Sequence, residues 1–266
     1  MHKSELIQQI KNKKSLLCVG LDTDVTKLPV GSTSQIDFNR AIIQATSPSA
    51  VAYKINTAFY ECQGIPGWQA MEETLDAIPA DCFKIADAKR GDIGNTSHHY
   101  ALTFFEKLKF DAITVSPYMG IDSIKPFLEF SGKWVIILAL TSNSGSHDFQ
   151  RLSLTNGLKL YEQVINTACT WGSEEQIMFV VGATNADHIG QIRKNIPDHF
   201  LLIPGVGTQG GDLGAVIAHG ANAEGGLLIN VSRDIIFQSG GKEFAQQAGV
   251  RAQYYQQLIS AALAAR

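Results

Sequence analysis

The chain has 266 residues, of which 45% are apolar and 18% are charged, and its formal net charge is −3. This composition excludes a disordered chain, and it lacks the basic excess that nucleic acids and anionic membranes attract. No run approaches the roughly 20 apolar residues of a membrane-spanning helix. We therefore expect a folded protein that binds neither nucleic acid nor a membrane.

Residues 1–15 are polar and rich in lysine, without the apolar segment of a signal peptide. The four cysteines, Cys18, Cys62, Cys82 and Cys169, include no pair with C-x-x-C spacing. Such cysteines are typical of free thiols in a reducing compartment rather than of a disulfide or a zinc site. We predict a cytoplasmic protein.

Eight short apolar runs recur along the chain, each bounded by Gly, Pro, Asp or Ser. They span residues 16–21, 50–55, 82–86, 112–115, 134–140, 177–181, 200–203 and 226–231. Runs this short and this aliphatic predict strands that are buried on both faces. Helical spacing of apolar residues predicts helices over residues 95–108, 155–171 and 246–264. Strands that alternate with helices over about 250 residues favour a single-domain α/β fold, a (β/α)₈ barrel over residues 1–266.

Charged residues cluster where the third predicted strand ends, at residues 87–92. Because residues two apart on a strand share a face, we expect Asp87 and Lys89 to point together into the barrel mouth, where active sites of such barrels lie. Lys54, at the end of the second strand, is expected to reach the same place, and Asp92 completes an alternating row. Alternating charges stay ionised at low dielectric, and an ammonium in such a row can deliver a proton. A purely structural ion-pair network is the alternative, but charges on several strand ends favour a catalytic site.

A glycine-rich segment follows the seventh predicted strand, and an arginine follows the eighth. The glycines are Gly205, Gly207, Gly210 and Gly211. Barrels often bind phosphate with the loops after these two strands, through backbone N–H groups and an arginine side chain. We predict a phosphate site formed by this segment, with Gln209, and by Arg233. Tight turns are the alternative explanation of the glycines.

Other polar residues carry weaker signals. Asp22, after the first strand, is predicted to accept a hydrogen bond from a sugar hydroxyl, since an oxygen-ligand metal site needs more carboxylates. His98 and His99 are adjacent, so they do not share a helical face for a metal. Asn95 or Thr96 is predicted to cap the helix after the third strand. The sequence contains no recognisable metal or cofactor motif.

Residues 87–93, Asp-Ala-Lys-Arg-Gly-Asp-Ile, resemble the Asp-x-Lys-x-x-Asp-Ile motif of the orotidine 5'-phosphate decarboxylase family. Residues 54–61 resemble the family's second-strand signature, and residues 117–123 its strand-four loop. Residues 181–184 and 204–212 resemble strands six and seven of its longer bacterial branch, type two. The resemblance extends from Asp22 to Arg233.

This resemblance implies a cofactor-free decarboxylation of orotidine 5'-phosphate to UMP, the last step of de novo pyrimidine nucleotide synthesis. It implies that Lys89 protonates C6 of the pyrimidine, that Asp87 lies against the substrate carboxylate, and that Lys54 holds Asp87 and a ribose hydroxyl. The further roles that it implies are ribose binding by Asp22, contact across a homodimer by Asp92 and Thr96, pyrimidine recognition by Ser142 or Asn143, and phosphate binding by Gly207, Gln209 and Arg233.

Two other readings remain open from the sequence. Sugar-phosphate relatives, the 3-keto-gulonate-phosphate decarboxylases and hexulose-phosphate synthases, share the Asp-x-Lys-x-x-Asp motif but use magnesium. They tend to have an acidic ligand near the end of the second strand, where this chain has Lys54. A barrel that only binds a nucleotide is the second alternative. Such a protein does not need the intact set of Lys54, Asp87, Lys89 and Asp92.

Overall fold

In the computed structural model, which describes residues 1–32, 34–206 and 211–266, eight strands form a closed barrel in chain order. The strands are β1 (Leu17–Gly20), β2 (Ala52–Asn56), β3 (Phe83–Arg90), β4 (Ala112–Val115), β5 (Trp134–Leu140), β6 (Ile177–Val181), β7 (Phe200–Pro204) and β8 (Leu227–Val231). The strand pairs that the structure describes are parallel. The predicted barrel is confirmed.

Helices alternate with these strands. They are α1 (Lys3–Lys13), α2 (Gln35–Thr46), α3 (Ala58–Glu61), α4 (Ile65–Ala77), α5 (Gly94–Ala101), α6 (Ile121–Leu128), α7 (Leu160–Ala168), α8 (Ala186–Asn195), α9 (Leu213–Gly220), α10 (Arg233–Ile236) and α11 (Phe244–Ala264). Within the described part of the chain, none of them is both long enough and apolar enough to span a membrane.

The apolar runs locate the strands well, with one clear difference at β3. The run at residues 82–86 predicts a strand that ends before Asp87, whereas β3 continues to Arg90. Its polar end still pairs, because Asp87 lies opposite Asn56 of β2 and the carbonyl of Arg90 accepts from the Ser116 N–H at 2.8 Å. Hydrophobicity therefore marks the buried part of this strand and misses its polar end.

The predicted helices exist with shifted bounds. The helix predicted over residues 95–108 is α5 followed by a π-helical turn, Leu102–Lys107. The helix predicted over residues 155–171 is only α7, because Ser153 and Lys159 pair in an isolated bridge just before it. The predicted cap of α5 is wrong: the N-cap is Ile93, which makes no side-chain capping bond, and Asn95 and Thr96 lie inside the helix.

Contacts within the chain divide it into two compact units. The first consists of Lys3–Ala88 with Ile229–Arg266, and the second of Lys89–Leu228. The prediction of one domain over residues 1–266 stays a prediction.

In the first unit, α2 packs against α11, and α11 also packs against β1. Phe38 of α2 stacks on Phe237 and Phe244, with ring centroids 5.5 and 5.2 Å apart. A Cβ on Gly20, at the end of β1, would lie 2.7 Å from the Cβ of Ser232. Glycine therefore lets the end of β1 approach the start of α10 closely.

In the second unit, β4, β5, β6 and β7 are consecutive neighbours, and every residue of β4 and β6 is buried. Arg193 of α8 is also buried, 8% exposed. Its guanidinium donates to the carbonyls of Gly220, Ile196, Pro197, His199 and Gly226 at 2.7, 2.9, 3.1, 2.6 and 2.9 Å. One side chain thus ties the ends of several elements together.

Candidate functional site

A buried lysine held by two carboxylates is the centre of the candidate site in the first unit. The Lys54 side chain is 5% exposed, and those of Asp22 and Asp87 are 19% and 11% exposed. Nζ of Lys54 donates to Oδ1 of Asp22 at 3.1 Å and to Oδ2 of Asp87 at 3.0 Å. The structure therefore brings three of the predicted site residues into direct contact.

Strand register explains this arrangement. Lys54 lies opposite Gly20 of β1 on one side and opposite Ile85 of β3 on the other. Asp22 and Asp87 each follow these partners by two residues, and residues two apart on a strand point to the same side. Each neighbouring strand thus places one carboxylate just beyond the lysine, towards the C-terminal ends of the strands.

The two carboxylates beside Lys54 decide the protonation state of this lysine. Burial alone would lower the pKa of Lys54, but the carboxylates of Asp22 and Asp87 outweigh burial and raise this pKa above its ordinary value. Lys54 is therefore a permanent cation at neutral pH. Nearby on β1, burial is the main cause that raises the pKa of the Cys18 thiol to about 12, so this cysteine is not a thiolate nucleophile.

Lys89, where the segment Lys89–Leu228 of the second unit begins, departs from strand geometry. Its φ is +46°, in the left-handed region that lysine rarely adopts. Its N–H donates to Oγ1 of Thr114 on β4 at 2.9 Å, and its side chain is exposed. Such backbone strain is typical of functional positions. The alternation on which the prediction relied does not extend to Lys89, so its direction into the barrel mouth stays a prediction.

Asp92 and Thr96 lie before and within the first turn of α5. Oδ1 of Asp92 accepts from the Ile93 N–H at 2.8 Å, and its carbonyl accepts from the Ser97 hydroxyl at 2.6 Å. Thr96 is exposed on the helix. Their predicted contact across a dimer stays a prediction.

The hydroxyl of Ser142 is buried without a hydrogen-bond partner among the described residues. Buried hydroxyl groups normally have a partner, so an unpaired one at a predicted pyrimidine contact suits a ligand group. The neighbouring Asn143 is exposed, and its Oδ1 accepts from the Thr141 hydroxyl at 2.6 Å. Ser142 therefore has an unmet hydrogen bond, whereas Asn143 does not lie buried.

Gly182, directly after β6, is a residue to which the sequence assigned no role. A Cβ at this position would lie 2.1 Å from Oγ and 2.8 Å from the backbone nitrogen of Ser142. Only glycine allows this close approach. The one sequence signal was a glycine immediately after a buried strand, which often marks such an approach.

The glycine-rich segment after β7 is described in part. Gly205 has φ +96°, and the Gly211 N–H donates to its carbonyl at 3.2 Å. A Cβ on Gly211 would lie 2.5 Å from the Cβ of Ala183. Backbone geometry thus requires both glycines, as the tight-turn alternative expects. Gly207 and Gln209 lie outside the described residues, so their predicted phosphate contacts stay predictions.

Arg233 is the exposed first residue of α10. On one side, the Ser232 hydroxyl donates to the carbonyl of Gly20 at 3.0 Å. On the other, Oδ2 of Asp234 accepts from Nε and Nη2 of Arg251 at 3.0 and 2.8 Å. These contacts fix the short helix that presents the arginine.

Metal chemistry was the alternative for this charge cluster. In residues 1–32, 34–206 and 211–266, no three His, Cys, Asp or Glu side chains are grouped so that they hold a metal ion. At the end of β2, where the magnesium-dependent relatives are expected to have an acidic ligand, Lys54 places an ammonium that repels cations. The donor set described here does not fit a magnesium site at this strand end.

Comparison with known proteins identifies the group to which these features belong. Residues 15–248 match the profile of the orotidine 5'-phosphate decarboxylase / HUMPS family. The chain is 52% identical to the orotidine 5'-phosphate decarboxylase of Phocaeicola vulgatus over 263 residues, 96% of this chain and 97% of that protein. It is also 52% identical to the enzyme of the same name from Christiangramia forsetii over 270 residues, 99% of each chain.

Solved structures agree with the sequence relatives. The chain resembles the OMP decarboxylase of Leishmania donovani with a TM-score of 0.82 and 36% identity, over 96% of this chain and 99% of that one. It resembles the orotidine 5'-monophosphate decarboxylase of Plasmodium berghei with a TM-score of 0.85 and 25% identity, over 99% and 98%. Fold and sequence therefore point to the same group of proteins.

Proposed function

Because the chain belongs to the orotidine 5'-phosphate decarboxylase / HUMPS family, we propose that it converts orotidine 5'-phosphate to UMP and carbon dioxide without a cofactor. The observation that carries this proposal is the buried Lys54 between Asp22 and Asp87. It favours the decarboxylase over the magnesium-dependent sugar-phosphate enzymes, because a fixed ammonium replaces their acidic ligand.

The reaction breaks the bond between C6 of the pyrimidine and its carboxylate carbon, and the electron pair stays on C6 as carbon dioxide leaves. The ammonium of Lys89 donates a proton to C6, and water then reprotonates the amine. A vinyl carbanion has no electron sink, so a fixed positive charge at C6 is the main stabilisation that a protein can supply. The left-handed backbone at Lys89 supports a position under functional constraint.

Asp87, Lys54 and Asp22 prepare the substrate for this step. Asp87 lies against the substrate carboxylate and disfavours its charge in the ground state. Lys54 holds Asp87 and donates to a ribose hydroxyl, while Asp22 accepts from the ribose. The raised pKa of Lys54 supports these roles, because the lysine then stays an ammonium throughout the reaction.

The remaining proposed contacts bind the ends of the substrate. Ser142, with its unpaired buried hydroxyl, contacts the pyrimidine edge, and Asn143 assists it. Gly207, Gln209 and Arg233 bind the phosphate. Binding energy gained at the phosphate, far from C6, can be used to close the site around the reacting group.

We propose a homodimer in which Asp92 and Thr96 reach the partner's site. Exposed apolar side chains in the second unit support an interface: Ile93 is 55% exposed, Tyr118 87% and Met119 46%. Mixing Lys89→Ala with Asp92→Asn should restore activity, because one site of the mixed dimer then contains both intact residues. Absence of any recovery would count against Asp92 acting across the dimer.

We also propose a cytoplasmic location. The four cysteines are all free, with Cys18 and Cys82 buried, as suits a reducing compartment.

The test of the activity is an ultraviolet assay with orotidine 5'-phosphate in the presence of EDTA. We expect the substrate absorbance to fall with the native chain. Lys89→Ala is expected to abolish turnover while UMP binding stays measurable. No reaction with this substrate, but turnover of a ketose phosphate once magnesium is added, would move the chain to the sugar-phosphate branch of the family.

A further inference from the structure

A network of buried polar side chains lies beside Asp22 in the first unit, and the proposed chemistry does not use it. Thr23, Asn39, Tyr60 and Thr74 are each fully buried, at 0% exposed. They come from separate parts of the chain: the turn after β1, helix α2, helix α3 and helix α4. Burying four polar side chains costs desolvation, which apolar side chains of similar size would avoid.

Two hydrogen bonds of this network reach the residues on either side of Asp22, and the others join the network's own side chains to each other. The Tyr60 hydroxyl donates to the carbonyl of Leu21 at 3.1 Å. The Thr23 hydroxyl donates to Oδ1 of Asn39 at 2.6 Å. Nδ2 of Asn39 then donates to the Tyr60 hydroxyl and to Oγ1 of Thr74, each at 2.9 Å.

Two further bonds complete the constraint on the turn that carries Asp22. Nε2 of Gln35, itself 5% exposed, donates to the carbonyl of Thr23 at 2.9 Å. The Leu21 N–H donates to the carbonyl of Lys54 at 2.8 Å. Leu21 and Thr23 therefore each make two hydrogen bonds to surrounding elements. These bonds fix the backbone position from which the Asp22 side chain extends.

We propose that Tyr60 and Asn39 are positioning residues that set the Asp22 carboxylate for the ribose and for Lys54. This inference rests on the proposed function, since it concerns the same site. Asp22 follows β1 on a turn, and a turn without such bonds adjusts its backbone easily. A satisfied buried network removes that freedom, and displacements of about 1 Å at a site can cost about 100-fold in rate.

The chain offers a matched pair of variants for the test. Tyr60→Phe removes only the hydroxyl, which donates to the carbonyl of Leu21 and accepts from Nδ2 of Asn39. Tyr53→Phe removes an equally buried hydroxyl of the same unit, which bonds to Thr46 at 2.8 Å and to the carbonyl of Ile43 at 3.2 Å, both on α2. Both variants lose a buried hydroxyl that donates to a carbonyl, so both are expected to lose similar stability.

Activity on substrates with and without a ribose hydroxyl distinguishes a positioning role of Tyr60 from a role in stability alone. With orotidine 5'-phosphate, we expect Tyr60→Phe to lower kcat/KM by about tenfold and Tyr53→Phe by less than about twofold. The loss caused by Tyr60→Phe should shrink with whichever of the 2'-deoxy or 3'-deoxy substrates lacks the hydroxyl that Asp22 holds. Thr23→Val, which removes the hydroxyl bound to Asn39, should reproduce the effect if Tyr60→Phe does not fold.

Binding of product gives a readout that does not need turnover. Calorimetry with UMP, its 2'-deoxy form and its 3'-deoxy form is expected to show a preference for UMP in the native chain and in Tyr53→Phe, and a reduced preference in Tyr60→Phe. Equal behaviour of the two tyrosine variants in both experiments would overturn the inference. A native chain that binds UMP but does not decarboxylate would overturn the proposed activity and leave the binding comparison as the test of positioning.

Discussion

Two buried cations, one in each unit, are held in opposite ways. Lys54 donates to two carboxylates, Asp22 and Asp87, at 3.1 and 3.0 Å. Arg193 donates to five backbone carbonyls at 2.6 to 3.1 Å. Both groups are desolvated, and both donate several hydrogen bonds within the protein. The difference lies in what accepts them: ionisable side chains in one case, and neutral main chain in the other.

This difference in acceptors suits the Lys54 cluster to ligand binding and the Arg193 cluster to a structural role. Two carboxylates around one ammonium leave a net negative charge, which a substrate or a proton can change. Carbonyl groups do not titrate, and they surround all three nitrogens of the planar guanidinium, an arrangement that a lysine does not reproduce. The lysine cluster is therefore suited to chemistry, and the arginine cluster to holding chain segments together.

Removing the Lys54 ammonium is expected to have the largest effect on activity. In Lys54→Met, Asp22 and Asp87 face each other without compensation, so decarboxylation should fall by about 10³-fold or more. The free energy of unfolding should also fall, by about 3 kcal/mol, because two partly buried carboxylates lose their shared partner. Steady-state kinetics and urea unfolding measure the two effects.

A second substitution separates charge balance from function at this cluster. Lys54→Met with Asp87→Asn restores the net charge of the cluster but leaves Asp22 without its ammonium, so part of the stability should return while activity stays absent. Recovery of activity in the double variant would contradict the roles proposed for both residues. No neutral substitution of this kind exists for the Arg193 cluster, because its acceptors are main-chain atoms.

Arg193→Met is expected to show the opposite profile. It leaves five carbonyl groups of the second unit without their donor, and the free energy of unfolding should fall by about 3–5 kcal/mol. At temperatures where the variant is folded, kcat/KM should stay within about twofold of the native value. Arg193→Lys keeps the charge but not the fork, so it should recover only part of the stability. An Arg193→Met variant with native stability but no activity would contradict the structural role of Arg193.

The sequence predicted the Lys54 cluster and missed the Arg193 cluster for one physical reason. Strands buried on both faces are apolar runs, so polar residues at their ends stand out, as Lys54, Asp22 and Asp87 do. An arginine on an amphipathic helix is indistinguishable from a surface residue until its neighbours are known. The carbonyls that hold Arg193 come from residues 196 to 226, and no sequence pattern links them.

The same limit applies to the supporting parts of the site. Asn39 and Tyr60 lie on different helices, and only the fold brings them to the turn after β1. The left-handed backbone of Lys89 was also missed, because lysine does not normally mark such a position. Residue types at strand ends therefore predict which charged groups lie together, while the buried groups around them depend on tertiary contacts.

Gly182→Ala tests a second position in the unit that contains Arg193, and here we expect an effect on activity. The added methyl group would lie 2.1 Å from the Ser142 hydroxyl, so residue 142 must move. We expect kcat/KM to fall by about 10- to 100-fold and stability by about 1–2 kcal/mol.

Gly190→Ala is the matched control for this change. The nearest atom to its added methyl group is 3.5 Å away, on His219, so the substitution has room and should be neutral or slightly stabilising on α8. Equal activity of the two alanine variants would show that Ser142 does not depend on Gly182.

Arg251 is a third cation for comparison, and it is more exposed than Lys54 and Arg193. Its side chain is 33% exposed and binds Asp234, which also accepts from the Tyr255 hydroxyl. Burial, and then the hydrogen bond to Asp234, raise the pKa of Tyr255 from 10.0 to about 12. The folded state thus favours the protonated phenol, and the stability that this contributes is complete below pH 10 and is lost as the pH rises to 12.

Tyr255→Phe should therefore lower the free energy of unfolding by only about 1–2 kcal/mol at pH 8, because the cluster is partly hydrated. The gap between the native chain and the variant should narrow as urea unfolding is repeated at pH 10 and pH 11, since the native chain alone loses this contribution. A gap that stays constant with pH would mean that the phenol of Tyr255 titrates alike in both states. Neither Tyr255→Phe nor a change of pH in this range should alter the hydrogen bonds of Arg193, because its carbonyl acceptors do not titrate.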